Sequence, residues 1–498
     1  MYKNIIYRIL LALIVVSSAS CQKWLDVKPQ DGLIKQEFWK TKEQLQSAVT
    51  GTYISLVDNN IVSQLFRWGE LRADLVMVAQ VPGKPSNDEI QLGNGNLLPT
   101  NSIADWSGIY RVINNCNQVI DNAAGVSQND PTVSMKEVNE SVAEVKAIRA
   151  LLYFYLLRSY RDVPLQLQGV SEDTQVMSLP KSGPDEVAAQ ILEDLKFAEE
   201  HAVETFVANP SFDKGRITKF AVFAIQADVY LWLDRYEEAL QACNKVIESG
   251  RFRLVPGDGA TFFNDLYFEG NSDETIFAFQ YTVERPNPFY SMFQAAAKPL
   301  TASTAALDEI FKKDINDPEA KDLRAEGVSF HATDLSIWKY TGKNDKDPRE
   351  ANQSIAKYNI YRYADVLLMK AEALAYIPGN GQAVMDLIDQ VRDRARALDV
   401  TKQDPDLNNS SSLAQYVFDE RGREFAFEGK RWFDLLRFAK RNDYENLDLL
   451  IARATLNVPS NLSQSVAIKL SDTNSHYLPV PFRDMQANKN LVQNPFYK

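Results

Sequence analysis

A chain of 498 residues, 45% hydrophobic and 24% charged, holds ample material for a large core, which excludes a disordered or fibrous protein. Its formal charge of −12 becomes −14 when residues 1–20, which carry Lys3 and Arg8 but no acid, are set aside. So acidic a chain is a poor partner for nucleic acid.

At the N-terminus, Lys3 and Arg8 precede an apolar run from Ile9 to Val16 and the small residues Ser17, Ser18, Ala19 and Ser20, with Cys21 next. This is the pattern of a secretory signal peptide over residues 1–20. The run is shorter than the roughly 20 apolar residues that span a bilayer. Small residues ending at a cysteine resemble the lipobox of bacterial lipoproteins, with Ser18 where a leucine is usual. The resemblance implies that Cys21 is acylated and anchors the mature chain, residues 21–498, to a membrane. Each buried acyl methylene contributes about 0.8 kcal/mol to such anchoring.

Most of the mature chain carries helical periodicity. Helices are expected at about 40–57, 103–123, 139–160, 184–201 and 412–440. Residues 216–233, within GRITKFAVFAIQADVYLWL, are apolar nearly all round and predict a helix buried on most sides. A short turn at Asp234 and Arg235 leads into YEEALQACNKVIES, whose apolar positions recur at three- and four-residue intervals. Two helices so joined form an αα-hairpin. A second hairpin runs from Tyr358 through YRYADVLLMKAEALAYI, breaks at Pro378 and Gly379, and continues in QAVMDLIDQVRDRARAL. Small residues at Ala227 and Ala239 beside Tyr230 and Tyr236 are similar to a tetratricopeptide unit. The expected fold is mainly α: a tetratricopeptide-like scaffold of about four helix pairs over 40–57, 103–250 and 355–440, with a few short strands. Long irregular insertions, rich in Pro, Gly, Asn and Asp, are expected at 60–110 and 251–355, and the stretch after 440 reads as irregular too. Long loops on a rigid scaffold place ligand binding there.

Cys116 and Cys243 sit in apolar helical patterns and read as buried small hydrophobes. His201, His331 and His476 match no metal-ligand spacing. No Gly-x-Ser-x-Gly elbow, phosphate-cradling glycine loop, His-Glu-x-x-His or EF-hand loop occurs, so neither cofactor nor metal is implied.

Several segments resemble the RagB/SusD family, in order along the chain. CQKWLDVKP is similar to the family's mature start. EQLQSAVTGTYISL and WSGIYRVINNCNQVID are similar to its first two helices. VKAIRALLYFYLLRSYRDVPL resembles the helix ending in Tyr-Gly-Asp-Val-Pro-Leu, with Arg161 in place of the glycine. GRITKFAVFAIQADVYLWL and YRYADVLLMKAEAL resemble its tetratricopeptide hairpins, ERGREFAFEGKRWFDLLRF its most recognisable helix, and YLPVPFRDMQANKNLVQNPFY its ending. The resemblance implies a non-catalytic lipoprotein on the outer membrane, facing the cell exterior. Such a protein captures an oligosaccharide or polysaccharide and passes it to a SusC-like TonB-dependent transporter. A peptide-capturing member of the same family and a structural tetratricopeptide adaptor of the envelope stand as alternatives.

A glycoside hydrolase needs two carboxylates across a cleft, one of them raised in pKa. In the block 420–437, Glu420, Glu424, Glu428 and Asp434 are interleaved with Arg421, Arg423, Arg431 and Arg437, which push carboxylates the other way. The block reads as a docking network, with pairs at Glu420–Arg423, Glu428–Arg431 and Arg431–Asp434. A sugar binder instead offers aromatic faces to pyranose C–H groups and planar polar groups to hydroxyls. Residues 64–74, QLFRWGELRAD, supply Trp68, Arg72 and Asp74, and residues 279–293, FQYTVERPNPFYSMF, supply Tyr281, Phe289 and Tyr290. These six are the candidate ligand contacts. Trp106, Tyr110 and Trp338 read as core or docking residues.

Overall fold

The computed structural model describes residues 2–3, 38–80, 85–170, 178–294 and 298–498; the signal segment, Cys21, Pro82 and Gly83 lie outside them. Helix α1 (Lys42–Leu56) opens on a capping box in which Thr41 and Gln44 satisfy each other's backbone N–H. Helix α2 (Asn59–Glu70) comes two residues later, then strand β1 (Val76–Val78) and α3 (Asn87–Gly93). Next in the chain are α4 (Ser107–Asn129), α5 (Met135–Tyr160) and α6 (Pro184–His201). Ser134 and Glu137 box the start of α5, whose residues are buried without a break from Val142 to Val145 and from Ala147 to Tyr160. A helix this enclosed is the spine of the fold, and α4 and α6 pack along it.

The two sequence-predicted hairpins are present. Helices α7 (Lys219–Trp232) and α8 (Tyr236–Ile247) turn at Asp234, which adopts φ +57°. After β2 (Thr275–Phe279), β3 (Leu300–Ala302), α9 (Thr304–Ile310), β4 (Phe330–His331), β5 (Ser336–Ile337) and β6 (Tyr358–Arg362) come α10 (Tyr363–Ala375) and α11 (Gly381–Arg394). The rings of Tyr236 and Tyr376 stack at 4.6 Å and join the two hairpin turns. The tetratricopeptide-like arrangement is therefore as expected from the periodicity.

Four expectations are corrected. The second hairpin does not begin at Tyr358: residues 358–362 are a strand paired antiparallel with β2, Thr275 opposite Arg362 and Phe279 opposite Tyr358. Residues 60–70 are helix α2 rather than loop. The stretch after 440 contains α14 (Leu447–Thr455) and α15 (Ser460–Leu470). Finally, 412–440 is two helices, α12 (Ser410–Glu424) and α13 (Arg431–Tyr444). The break comes from a turn in which Phe427 takes φ +67° and Gly429 φ +74°. A Cβ on Gly429 would lie 2.1 Å from the Tyr358 hydroxyl, and one on Gly69 would lie 1.9 Å from the Gly429 carbonyl oxygen. Two glycines thus let α2 and this turn touch backbone to backbone.

The loop-rich segments are tied together rather than free. β1 pairs with β3, Val76 opposite Ala302, so the insertion near residue 80 and that near residue 300 form one surface.

Candidate functional site

Two kinds of constellation stand out: a buried ion-pair network and a set of surface clefts. In the network, Arg362 donates from Nη1 to Glu274 Oε1 and Glu424 Oε1, both at 2.6 Å, and from Nε to Glu428 Oε2 at 3.0 Å. Lys339 reaches Glu428 at 2.7 Å and Arg394 reaches Glu274 at 2.7 Å. Arg324 bridges Asp322, Glu420 and Glu424, and Glu420 also accepts from Arg392 and Arg423. All these side chains are buried.

Of the three pairs expected along the helix, Glu420–Arg423 is present at 2.9 Å. Glu428 turns instead to Lys339 and Arg362, Arg431 makes a two-pronged pair with Asp74, and Asp434 pairs with Arg421 and Arg437. The break at 425–430 rotates the second half away from the first. Burial drives the Glu420 and Glu428 carboxyls upward, but the guanidiniums of Arg324, Arg423 and Arg392 around the first, and Arg362 with Lys339 around the second, more than offset it and hold each at about 2. Carboxylates so held stay ionised and cannot serve as general acids at neutral pH.

Most of the six candidate contacts lie in the interior. Trp68 is 1% exposed and donates from Nε1 to the Ile103 carbonyl at 2.7 Å. Asp74 is wholly buried against Arg431, with contacts at 2.7 and 2.8 Å. Arg72 donates to the carbonyls of His476 and Ser475 at 2.6 and 2.8 Å and lies 4.1 Å over the Trp432 ring. Phe289 is stacked between Phe293 and Tyr340, with centroids at 5.5 and 4.4 Å, and Tyr281 is buried. Trp68, Asp74, Tyr281 and Phe289 are thus corrected to interior residues, while Arg72 is only partly buried and lines a cleft with Trp432, Phe496 and Tyr497. Tyr290 is half-buried. Trp106, Tyr110 and Trp338 are packing residues as expected; the last two spend their polar atoms on the carbonyls of Pro164 and Asn344.

The reason lies in the period of residues 60–70. In a helix, Ile61, Val62, Leu65, Phe66 and Trp68 share the inward face. The opposite face carries Asn60, Ser63, Gln64 and Arg67, spaced three and four apart, and these line a cleft of 510 Å³. Ser102, Asp105 and Arg111 close its other side. Arg67 is held by Glu89 at 2.6 Å and Gln64 donates to the carbonyls of Ile103 and Asp105, so the wall is rigid. Arg111, with 60% of its side chain exposed and its Asp58 partner 3.7 Å away, is free to turn to a ligand. A loop over residues 60–70 would have no such polar face, which is why the sequence expectation misses it; the three- and four-residue spacing is the signal that reveals it. On the other side of α3, Met77, Val78, Gln80, Pro85 and Ile90 line a cleft of 340 Å³. A third cleft of 580 Å³ is formed by the second insertion, between residues 259–265, 321–328 and 343–345.

Comparison with known proteins agrees with this architecture. A family model described as the SusD family matches residues 320–497, and one described as starch-binding, associating with outer membrane, matches residues 23–231. Two SusD-like proteins of Formosa agariphila are 26% and 25% identical to this chain, covering 88% and 99% of it and 92% and 98% of their own lengths. The crystal structure of a SusD superfamily protein from Bacteroides vulgatus superposes with a TM-score of 0.74 at 21% identity, covering 92% of this chain and 100% of that one. With a matching fold, family models on both halves and relatives that span nearly the whole length, this chain belongs to the SusD/RagB family.

Proposed function

We propose that this protein is a non-catalytic lipoprotein of the outer-membrane surface, anchored through Cys21, that captures an oligosaccharide and delivers it to a SusC-like TonB-dependent transporter. The observation that carries the reading is the match of residues 23–231 to a family described as starch-binding and associating with the outer membrane. The 510 Å³ cleft falls within that span, and its hydroxyl, amide and guanidinium groups suit the paired hydroxyls of a sugar. Tyr290, half-buried and not part of this cleft's wall, is a second candidate contact in this reading.

Affinity electrophoresis of the chain starting after Cys21, against a panel of neutral and acidic polysaccharides, tests it. Retardation by one glycan class that is lost in Arg111→Ala or Tyr290→Ala, with unchanged circular dichroism, is the expected result. A broad panel without retardation would sink sugar capture and leave peptide capture as the better reading.

A further inference from the structure

Arg72 is a cation without a counter-ion. Its Nη1 and Nη2 donate to the carbonyls of His476 and Ser475, and no Asp or Glu among the described residues stabilises its charge. The guanidiniums on either side of it in space are matched, Arg67 by Glu89 at 2.6 Å and Arg431 by Asp74 at 2.7 Å. Burial with nothing acidic beside it lowers the Arg72 guanidinium to about 10. A guanidinium has five N–H donors, and this one spends two of them on the protein. Nε donates to nothing among the described residues and is reached by solvent, so a donor is left for a ligand.

The cleft that Arg72 lines is walled by Leu92, Leu97, Val466 and Leu470, from α3, the loop after it and α15. Lys469 adds a second cation, and its Nζ rests on an uncharged partner, Asn96 Oδ1, at 2.9 Å. No Asp or Glu lines the cleft among the described residues. Its enclosed space is 40 Å³. One water-sized atom takes about 10–15 Å³ of such space, so the cleft admits a group of about three heavy atoms. That is a carboxylate and not a sugar ring. Phe496 and Tyr497 complete the lining, half-buried, their rings at 86° and 5.0 Å apart. Gly93 and Ala454 line this cleft and the 340 Å³ cleft alike, so the two adjoin and leave room for the rest of a ligand.

We propose that this cleft is an acid-recognition subsite, in which Arg72 and Lys469 bind the carboxylate of a uronic acid residue while Phe496 and Tyr497 pack on its ring. The proposal rests on the sugar-capture reading and deepens it by naming the class of glycan. A uronic acid carries its carboxylate directly on the ring, so a carboxylate seated on Arg72 holds the ring against the aromatic pair. A guanidinium matches a planar carboxylate, and charge-assisted hydrogen bonds are about twice as strong as neutral ones.

The test titrates the mature chain with sodium glucuronate and sodium galacturonate, at ionic strength held constant with chloride. The uncharged methyl esters and sodium acetate are run beside them. Binding is read by calorimetry and by the fluorescence of Trp432, whose ring centroid lies 4.1 Å from the Arg72 guanidinium, with Trp432→Phe assigning the signal. Saturable binding of at least one uronate is expected, absent for the methyl esters and weaker for acetate. Arg72→Gln abolishes it and Lys469→Gln weakens it about tenfold, each with native circular dichroism. Lys136→Gln, at an exposed residue of α5, leaves it unchanged. Should Arg72→Gln not fold, Lys469→Gln, at a partly exposed residue, decides the question. Failure of both uronates to bind overturns the subsite, as does binding that Lys469→Gln retains in full. Acetate binding as tightly as a uronate overturns the sugar assignment and makes the cleft a site for a peptide carboxylate. Retardation by a neutral polysaccharide without uronate binding leaves sugar capture standing and removes this subsite alone; absence of both removes both.

Discussion

Arg161 closes α5 with φ +69° and ψ −67°, and the Asp162 N–H donates to the Tyr160 carbonyl at 2.9 Å across it. This is a γ-turn in a region that L-residues rarely occupy, at the position where the family signature carries glycine. The Arg161 side chain is exposed, so replacing it removes little packing. Backbone strain of this kind costs about 1–3 kcal/mol, against roughly 0.4–1 kcal/mol for the greater freedom of glycine when unfolded. Arg161→Gly is expected to raise stability by about 1 kcal/mol, visible as a higher urea midpoint at an unchanged slope. Glu70 is a second strained residue. Its Oε1 accepts from the N–H groups of Gly429 at 2.7 Å and Lys430 at 3.1 Å, while Oε2 has no partner. Burial outweighs those two donors and pushes the carboxyl up to about 8. A carboxyl raised on folding binds its proton more tightly in the native state, so stability falls as pH rises from about 4.5 to about 8. Glu70→Gln keeps the acceptor and removes the ionisation; it is expected to flatten that decline and to be more stable than the native chain at about pH 8. Urea unfolding at about pH 5 and about pH 8 reads the difference, and an unchanged slope against pH would count against the assignment.

At the scale of elements, the break between α12 and α13 organises the interior. The turn at 425–430 presents Glu428 to Lys339 and Arg362, and presents the Gly429 and Lys430 N–H groups to Glu70. Removing one partner of a buried pair leaves an uncompensated charge, which costs about 3–5 kcal/mol. Glu428→Gln strands Lys339, while Arg362 keeps Glu274 and Glu424, and it is expected to lower unfolding free energy by about 3 kcal/mol, without altering ligand affinity where the variant is folded. The high density of charge in this block was legible in the sequence, as was the Glu420–Arg423 pair three residues apart. The partners Arg362, Glu274 and Arg324 were not, since they lie 62 to 150 residues from Glu424 in the chain. The break itself was signalled only by Gly429, and the apolar and charged pattern ran through it without interruption.

Across the whole molecule, the network couples the scaffold to the second insertion: Arg362, Arg392 and Arg394 belong to β6 and α11, Glu420 and Glu424 to α12, and Asp322, Arg324 and Lys339 to the irregular segment. Glu420 and Glu428, depressed from 4.5 to about 2, contribute stability that is fully present above pH 4.5 and is lost as pH falls toward 2. Acid unfolding is therefore expected in that window as one transition, with hydrogen-exchange protection lost together in α12 and residues 322–341; separate transitions would show that the insertion is an independent unit.

The two hairpins and their burial were decided by the sequence alone, because a 3.6-residue apolar period is a local property that survives without knowledge of neighbours. The order of family-like segments carried the kinship for the same reason. Which aromatics face outward was decided only by the tertiary structure. Trp68 and Phe289 sit in stretches whose composition suggests a surface, yet Trp68 packs on Tyr160 and bonds the Ile103 carbonyl, and Phe289 stacks on Phe293 and Tyr340. Asn60, Ser63, Gln64 and Arg67 became a cleft wall only when α3 and residues 102–111 closed against them, a contact between segments that no local pattern encodes.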